Sequence, residues 1–200
     1  MSRLTTYTYD DFDNLTNTTS GTDSISHTYN ILGQRTSMTD STGTTTYTYN
    51  PFGELTTETK GDIIKTYGYD NLSNRTAFDI MNNDSQIMSL EYAYDSLNRL
   101  TSVTDGTDTA SYTYDANSNE LSASLNGEVY KNSEYNYANL PTTVYYPNTG
   151  DSTNRIIYTY RVNGNMHSHK EWLDYTSARI YTYDGAGRVT MDMSMLLDYS

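Results

Sequence analysis

The stretch NMHSHKEW holds two histidines two residues apart, His167 and His169. On an extended chain such a pair shares a face, and two imidazoles on one face could ligate a transition metal. Their spacing places no third ligand, and a solvated strand accounts for the same residues. The stretch DDFDN, residues 10–14, carries oxygen ligands at a density suited to calcium. It falls on a recurring turn, however, and the turn accounts for those residues too. Ser, His and Asp all occur, yet there is no nucleophile elbow and no phosphate-cradling glycine loop. Strips of tyrosine and arginine could stack on sugars or on exposed peptide, but their periodic placement assigns them to sheet building. The residues therefore point to no enzyme, no cofactor and no catalytic or metal-ligating set.

Composition narrows the elements that must carry these residues. Leu, Ile, Val and Phe make up only 31 of 200 residues, and the net charge is -13. Alone, those values describe a disordered chain. The 22 tyrosines reverse that reading, because each buries a large ring while its hydroxyl stays wet. Tyr and the abundant Thr both favour a pleated, half-buried surface. With no cysteine, disulfides and thiolate metal sites are excluded. Twelve Lys and Arg against 25 Asp and Glu argue against nucleic acid. No apolar run approaches a membrane span. The opening MSRLTTYTYD has no apolar signal core, so any export signal is expected outside this chain.

An internal repeat organises the whole sequence. Tyr-x-Tyr recurs as Tyr7/Tyr9, Tyr47/Tyr49, Tyr67/Tyr69, Tyr92/Tyr94, Tyr112/Tyr114, Tyr135/Tyr137, Tyr158/Tyr160 and Tyr181/Tyr183, with His27/Tyr29 as the variant second copy. Aligned on the second tyrosine, the copies lie 20, 20, 20, 25, 20, 23, 23 and 23 residues apart. Residues two apart share a strand face, so one face is aromatic and the other carries small or polar residues such as Thr8, Thr28 and Thr48.

A turn follows each pair. Asp10, Asn30, Asn50, Asp70, Asp95, Asp115 and Asp184 come next, able to bond backbone N–H groups two residues on. Three residues later stand Asp13, Gly33, Gly53, Ser73, Asn98, Ser118 and Gly187, where a type I turn with a following bulge needs the left-handed conformation. A second strand begins at Leu15, Arg35, Leu55, Arg75 or Leu100, and its arginines are expected to lie on tyrosine rings. The 23- and 25-residue copies are expected to hold longer second loops, such as Ile80 to Ser89. The only helix candidate is the tail MDMSMLLDYS. Each copy is thus a β-hairpin, and two tyrosines cannot offset the backbone entropy of twenty ordered residues. Neighbouring copies must stack. The expected fold is all-β: tandem stacked hairpins forming a curved antiparallel ribbon.

The phrases YTYDGAGRVT, YAYDSLNRLT and YTYNPFGELT closely resemble the tyrosine-aspartate (YD) repeat of Rhs-type proteins. Asp95 with Arg99, and Asp184 with Gly187 and Arg188, carry the resemblance most fully. Copies seven and eight, YNYANLPTT and YTYRVNGNM, lose the Asp. The resemblance implies a shell segment that encloses or presents a C-terminal toxin domain, in a secreted or wall-associated bacterial protein. It implies as partners the rest of a larger Rhs-type polypeptide and its toxin. An alternative is a surface adhesin or carbohydrate-binding module that holds glycan on tyrosine strips. No Asp-Pro dipeptide occurs, so the family's shell-closing motif has no counterpart here. Residues 1–200 are expected to be a single array of about nine copies, cut from a longer ribbon at both ends.

Overall fold

The computed structural model describes residues 4–147, 155–172 and 177–196. Those residues form eighteen β-strands and no α-helix. The chain divides into two compact units, Met1–Tyr92 and Ala93–Ser200. In the first, β1 (Thr5–Tyr9), β2 (Leu15–Ser20), β3 (Asp23–Tyr29), β4 (Arg35–Asp40), β5 (Gly43–Tyr49), β6 (Leu55–Lys60), β7 (Ile63–Tyr69), β8 (Arg75–Asn82) and β9 (Ser85–Tyr94) follow in order. Each pairs antiparallel with the next, and the unit boundary falls inside β9. The second unit repeats the plan with β10 (Leu100–Thr104), β11 (Thr109–Tyr114), β12 (Glu120–Leu125), β13 (Glu128–Tyr135), β14 (Pro141–Tyr145), β15 (Arg155–Tyr160), β16 (Met166–Trp172), β17 (Ser177–Tyr183) and β18 (Val189–Leu196).

One local device recurs. The register slips by one residue just before the second tyrosine, between Thr8 and Tyr9, Thr28 and Tyr29, Thr48 and Tyr49, and at the equivalent place in later hairpins. This bulge is separate from the turn. Asp10 N–H pairs with Asn14 O and Tyr9 faces Leu15, but Thr8 faces Asn17, which leaves Thr16 as the extra residue. The turn adds a left-handed residue of its own. The residue three past the Asx position has φ of 63° at Asp13, 74° at Gly33, 88° at Gly53 and 60° at Asn98. A type I turn closed by such a residue carries its own bulge there.

Among the described residues no large side chain is fully buried. Only Ala123, Val144, Thr45, Ser133 and Thr143 are buried at all. A core of the usual kind is replaced by half-buried rings on one face. The tyrosines of β3, β5, β7, β11 and β15 are half-buried there, whereas Tyr7 and Tyr9 of β1 are exposed.

Two expectations are corrected. The tail is strand, with Ser177 to Tyr183 paired against Leu196 to Val189, because its Met-Asp-Met-Ser-Met alternation is period two and extends β17's ladder. Its last four residues lie outside the described set. The 25-residue copy holds no longer second loop: β8 and β9 run up to a two-residue turn at Asn83 and Asp84, with φ of 45° and 64°. Asn and Asp tolerate that conformation, so its extra residues lengthen the strands instead. In copy seven, by contrast, β14 ends at Tyr145 and β15 begins only at Arg155.

Candidate functional site

The recurring feature is a turn cassette. At Asp10, one carboxylate oxygen accepts the Phe12 and Asn14 N–H groups, both at 2.9 Å, and the other accepts the Asn14 amide at 3.0 Å. The backbone closes around it, Asp13 N–H donating to Asp10 O at 3.1 Å and Asp10 N–H to Asn14 O at 3.0 Å. The Asn14 amide first, then these backbone donors, hold the Asp10 carboxyl below its usual range. Asp70 and Asp115 are lowered in the same way, and Asp95 and Asp184 first by the backbone N–H of Arg99 and Arg188 and then by their guanidinium groups. A calcium reading of residues 10–14 finds these oxygens already engaged by the turn.

The residue four past the Asx position is chosen to match it. Asp70 meets the Asn74 amide, Asp95 the Arg99 guanidinium, Asp115 the Asn119 amide and Asp184 the Arg188 guanidinium. At Asn30 and Asn50 the partner is an acceptor, Asn30 donating to Gln34 at 2.7 Å and Asn50 to Glu54 at 2.6 Å, whereas Asn136 is followed by Leu140. Sequence reasoning missed this pairing, although the alternation of Asp with a donor and Asn with an acceptor is visible in the chain. The same residues reach the next turn, Gln34 donating to Gly53 O at 3.1 Å and Arg99 to Asp115 O at 2.7 Å.

The second tyrosine seals neighbouring hairpins. Its hydroxyl donates to the first carbonyl of the preceding hairpin's second strand: Tyr29 to Leu15, Tyr49 to Arg35, Tyr114 to Leu100, Tyr135 to Glu120 and Tyr160 to Pro141, at 2.7–3.0 Å. Burial pushes the phenols of Tyr67, Tyr112, Tyr114, Tyr158 and Tyr160 above their usual value, which keeps them protonated. Arginines lie on rings beside them, Arg35 over Tyr47 and Arg75 over Tyr92 at 4.7 Å, and Arg99 over Tyr114 at 4.8 Å. On the opposite face hydroxyls pair across strands, such as Thr28 with Thr36, Thr48 with Thr56 and Thr113 with Ser122.

Copy seven has a different register from the one its spacing suggests. Tyr135 ends β13, Asn136 is the turn residue and Asn139 is left-handed with φ of 58°. Tyr137 sits fully exposed at the turn tip, and Ser133 takes the first tyrosine's place on the strand. Aligning on Tyr137 would put Pro141 at the left-handed position, which its ring forbids. That proline was the available signal. Copy eight keeps the turn without an Asx residue, through Gly164 with φ of 82°.

The histidines do not act together. The bulge at Tyr160 intervenes: Tyr160 faces Met166, Tyr158 faces His169, and His167 is left exposed. His169 is stacked on Tyr181 with centroids 4.4 Å apart, Tyr183 Oη lies 2.9 Å from its Nδ1, and its Nε2 lies 3.3 Å from Glu171 Oε1. This phenol–imidazole–carboxylate chain occupies the place of a tyrosine seal, with a ring nitrogen where other copies have a carbonyl. Among the described residues no three His, Asp or Glu are grouped to hold a metal ion, and no helix is long and apolar enough to cross a membrane.

Residues 29–62 and 91–129 match the family model described as RHS Repeat, and these stretches are RHS repeats. A search of curated proteins finds no match. Among solved structures, the fold is similar to that in "Crystal Structure of TcdB2-TccC3-Cdc42", with a TM-score of 0.53 at 15% identity over 99% of this chain. It is similar also to "Crystal Structure of TcdB2-TccC3-TEV", with a TM-score of 0.50 at 13% identity over 98%. This chain spans 14% and 15% of those two chains.

Proposed function

We propose that this RHS-repeat chain is a length of wall in a larger Rhs-type protein, and that the wall encloses or presents a toxin domain carried elsewhere in that polypeptide. The observation that supports this most is the seam. Hairpins are joined to their neighbours through tyrosine hydroxyls on backbone carbonyls, as Tyr49 on Arg35 O, and through turn side chains on the next turn, as Gln34 on Gly53 O. Such an array is extended by adding copies, and its side chains are spent on joining them. On this reading the segment acts as a scaffold, its repeated side chains serving the seams and turns. The similarity to two TcdB2-TccC3 structures, in which the matched stretch is a small part of a long chain, is consistent with that reading.

The test is an immunoblot of the native producer with an antibody raised against this segment, probing cell, surface and culture fractions. The expected result is a band several-fold heavier than 22.7 kDa in the surface or culture fraction. A sole band at 22.7 kDa would overturn the reading.

A further inference from the structure

In the first unit the residue two past each Asx position is Phe12, Leu32, Phe52 or Leu72, with exposures of 86, 74, 86 and 66%. The turn uses only its backbone N–H, which donates to the Asx oxygen. Nothing in the turn asks for an apolar side chain there, yet all four turns have a large one. The hydrogen bond fixes the backbone at each, and the side chain stands exposed at the turn as a knob. Successive knobs are two strands apart, about 9.4–9.8 Å. Beside the first of them lies a cleft lined by Phe12, Tyr29 and Ile31, together with Asp10. The same four turns, residues 10–14, 30–34, 50–54 and 70–74, carry the carboxylates of Asp10, Asp11, Asp13, Glu54 and Asp70 and no lysine or arginine.

We propose that this turn edge docks a basic, proline-rich segment in the polyproline-II conformation, seating one apolar residue per helical turn beside each knob. Polyproline II repeats every three residues at about 9.3 Å, close to the knob step. Over three steps the two stay in phase to about 1 Å, whereas an α-helix presenting every seventh residue, about 10.5 Å, runs out of phase by two or more. Aromatic clefts are the usual receivers of such helices. The negative charge of the edge, gathered at residues 10–14 with Glu54 and Asp70 beyond, selects a cationic ligand. This surface is independent of whether the ribbon is shell wall, so its failure and that of the shell reading are separate results.

The probe is a fluorescein-labelled peptide of four Pro-Pro-Arg triplets, about 37 Å long, titrated against the 200-residue chain by anisotropy. Saturable micromolar binding is expected, weakened at least tenfold by Phe52→Ser with Leu32→Ser, with the far-UV spectrum unchanged because these side chains lie outside the sheet. Asp11→Asn with Asp13→Asn should flatten the salt dependence. A peptide of six Pro-Arg pairs has more charge but the wrong phase and should bind more weakly. The proposal is overturned by absent binding at millimolar peptide, by tighter binding of the Pro-Arg peptide, or by indifference to the knob substitutions. A concentration-dependent dimer abolished by Phe52→Ser would also overturn it, assigning the knobs to a second copy of the chain.

Discussion

Replacing Asn50 by Asp tests whether the turn cassette reads its partner's charge. Asn50 Oδ1 accepts the Phe52 and Glu54 N–H groups at 3.0 Å, and Asp retains that oxygen. The other side-chain atom changes role, because Nδ2 donates to Glu54 Oε2 at 2.6 Å and a carboxylate oxygen there cannot. A charge-assisted hydrogen bond of about 1.5–3 kcal/mol is lost. Two negative charges about 4 Å apart also repel by roughly 1 kcal/mol in water and more where solvent is partly excluded. Rotation of Glu54 relieves some of this, leaving a net cost of about 2 kcal/mol. Adding Glu54→Asn recreates the pairing of Asp10 with Asn14 and should recover most of the loss. Urea unfolding followed by far-UV circular dichroism gives the cycle, and hydrogen exchange of the Phe52 and Glu54 amides localises it. The coupling should reach about 1.5 kcal/mol, well above the 0.3–0.5 kcal/mol typical of independent sites. A double mutant no better than the sum of the singles would refute the charge-matching argument.

Tyr49→Phe removes the seal on Arg35 O at 2.8 Å and should cost about 1 kcal/mol in urea unfolding, while Thr48→Ala on the exposed face costs less than half of that. Gly53→Ala should destabilise by about 1 kcal/mol or more, since φ is +88° and the new Cβ would lie 3.1 Å from Gln34 Nε2; Ser73→Gly, at φ of 65°, should stabilise in the same assay. His27 stands where other copies have tyrosine, its Nδ1 buried without a hydrogen-bond partner, and burial followed by the Arg35 charge holds its pKa below the usual 6.5. Below about pH 6.5 the unfolded chain takes up the proton more readily, so stability is kept above that pH and lost as pH falls through the folded value. Urea midpoints at pH 7.5 and 5 should show the drop, and His27→Tyr should shrink it.

Strand, turn and period were legible because they depend on short-range physics. Tyr-x-Tyr marks a strand face by alternation alone, and an Asx residue followed three positions later by Gly, Asn or Ser marks a turn because the backbone there must take positive φ. Asp95 to Asn98 and Asn50 to Gly53 needed no knowledge of anything outside their own hairpin. Even in copy seven, the constraint that moves the register from Tyr137 to Tyr135 is local, the fixed φ of Pro141.

The seams were not legible, and the reason is the sheet. That Tyr49 reaches Arg35 O, fourteen residues back, depends on β4 pairing with β5, which spacing in the chain does not state. The bulge then shifts faces by one residue, so His167 and His169 part although an unbroken strand would have kept them together. Local conformation was therefore written in the phrase itself. Which hydroxyl meets which carbonyl was decided only when neighbouring hairpins came into register, because cross-strand contacts depend on pairing and bulge offset and not on distance along the chain.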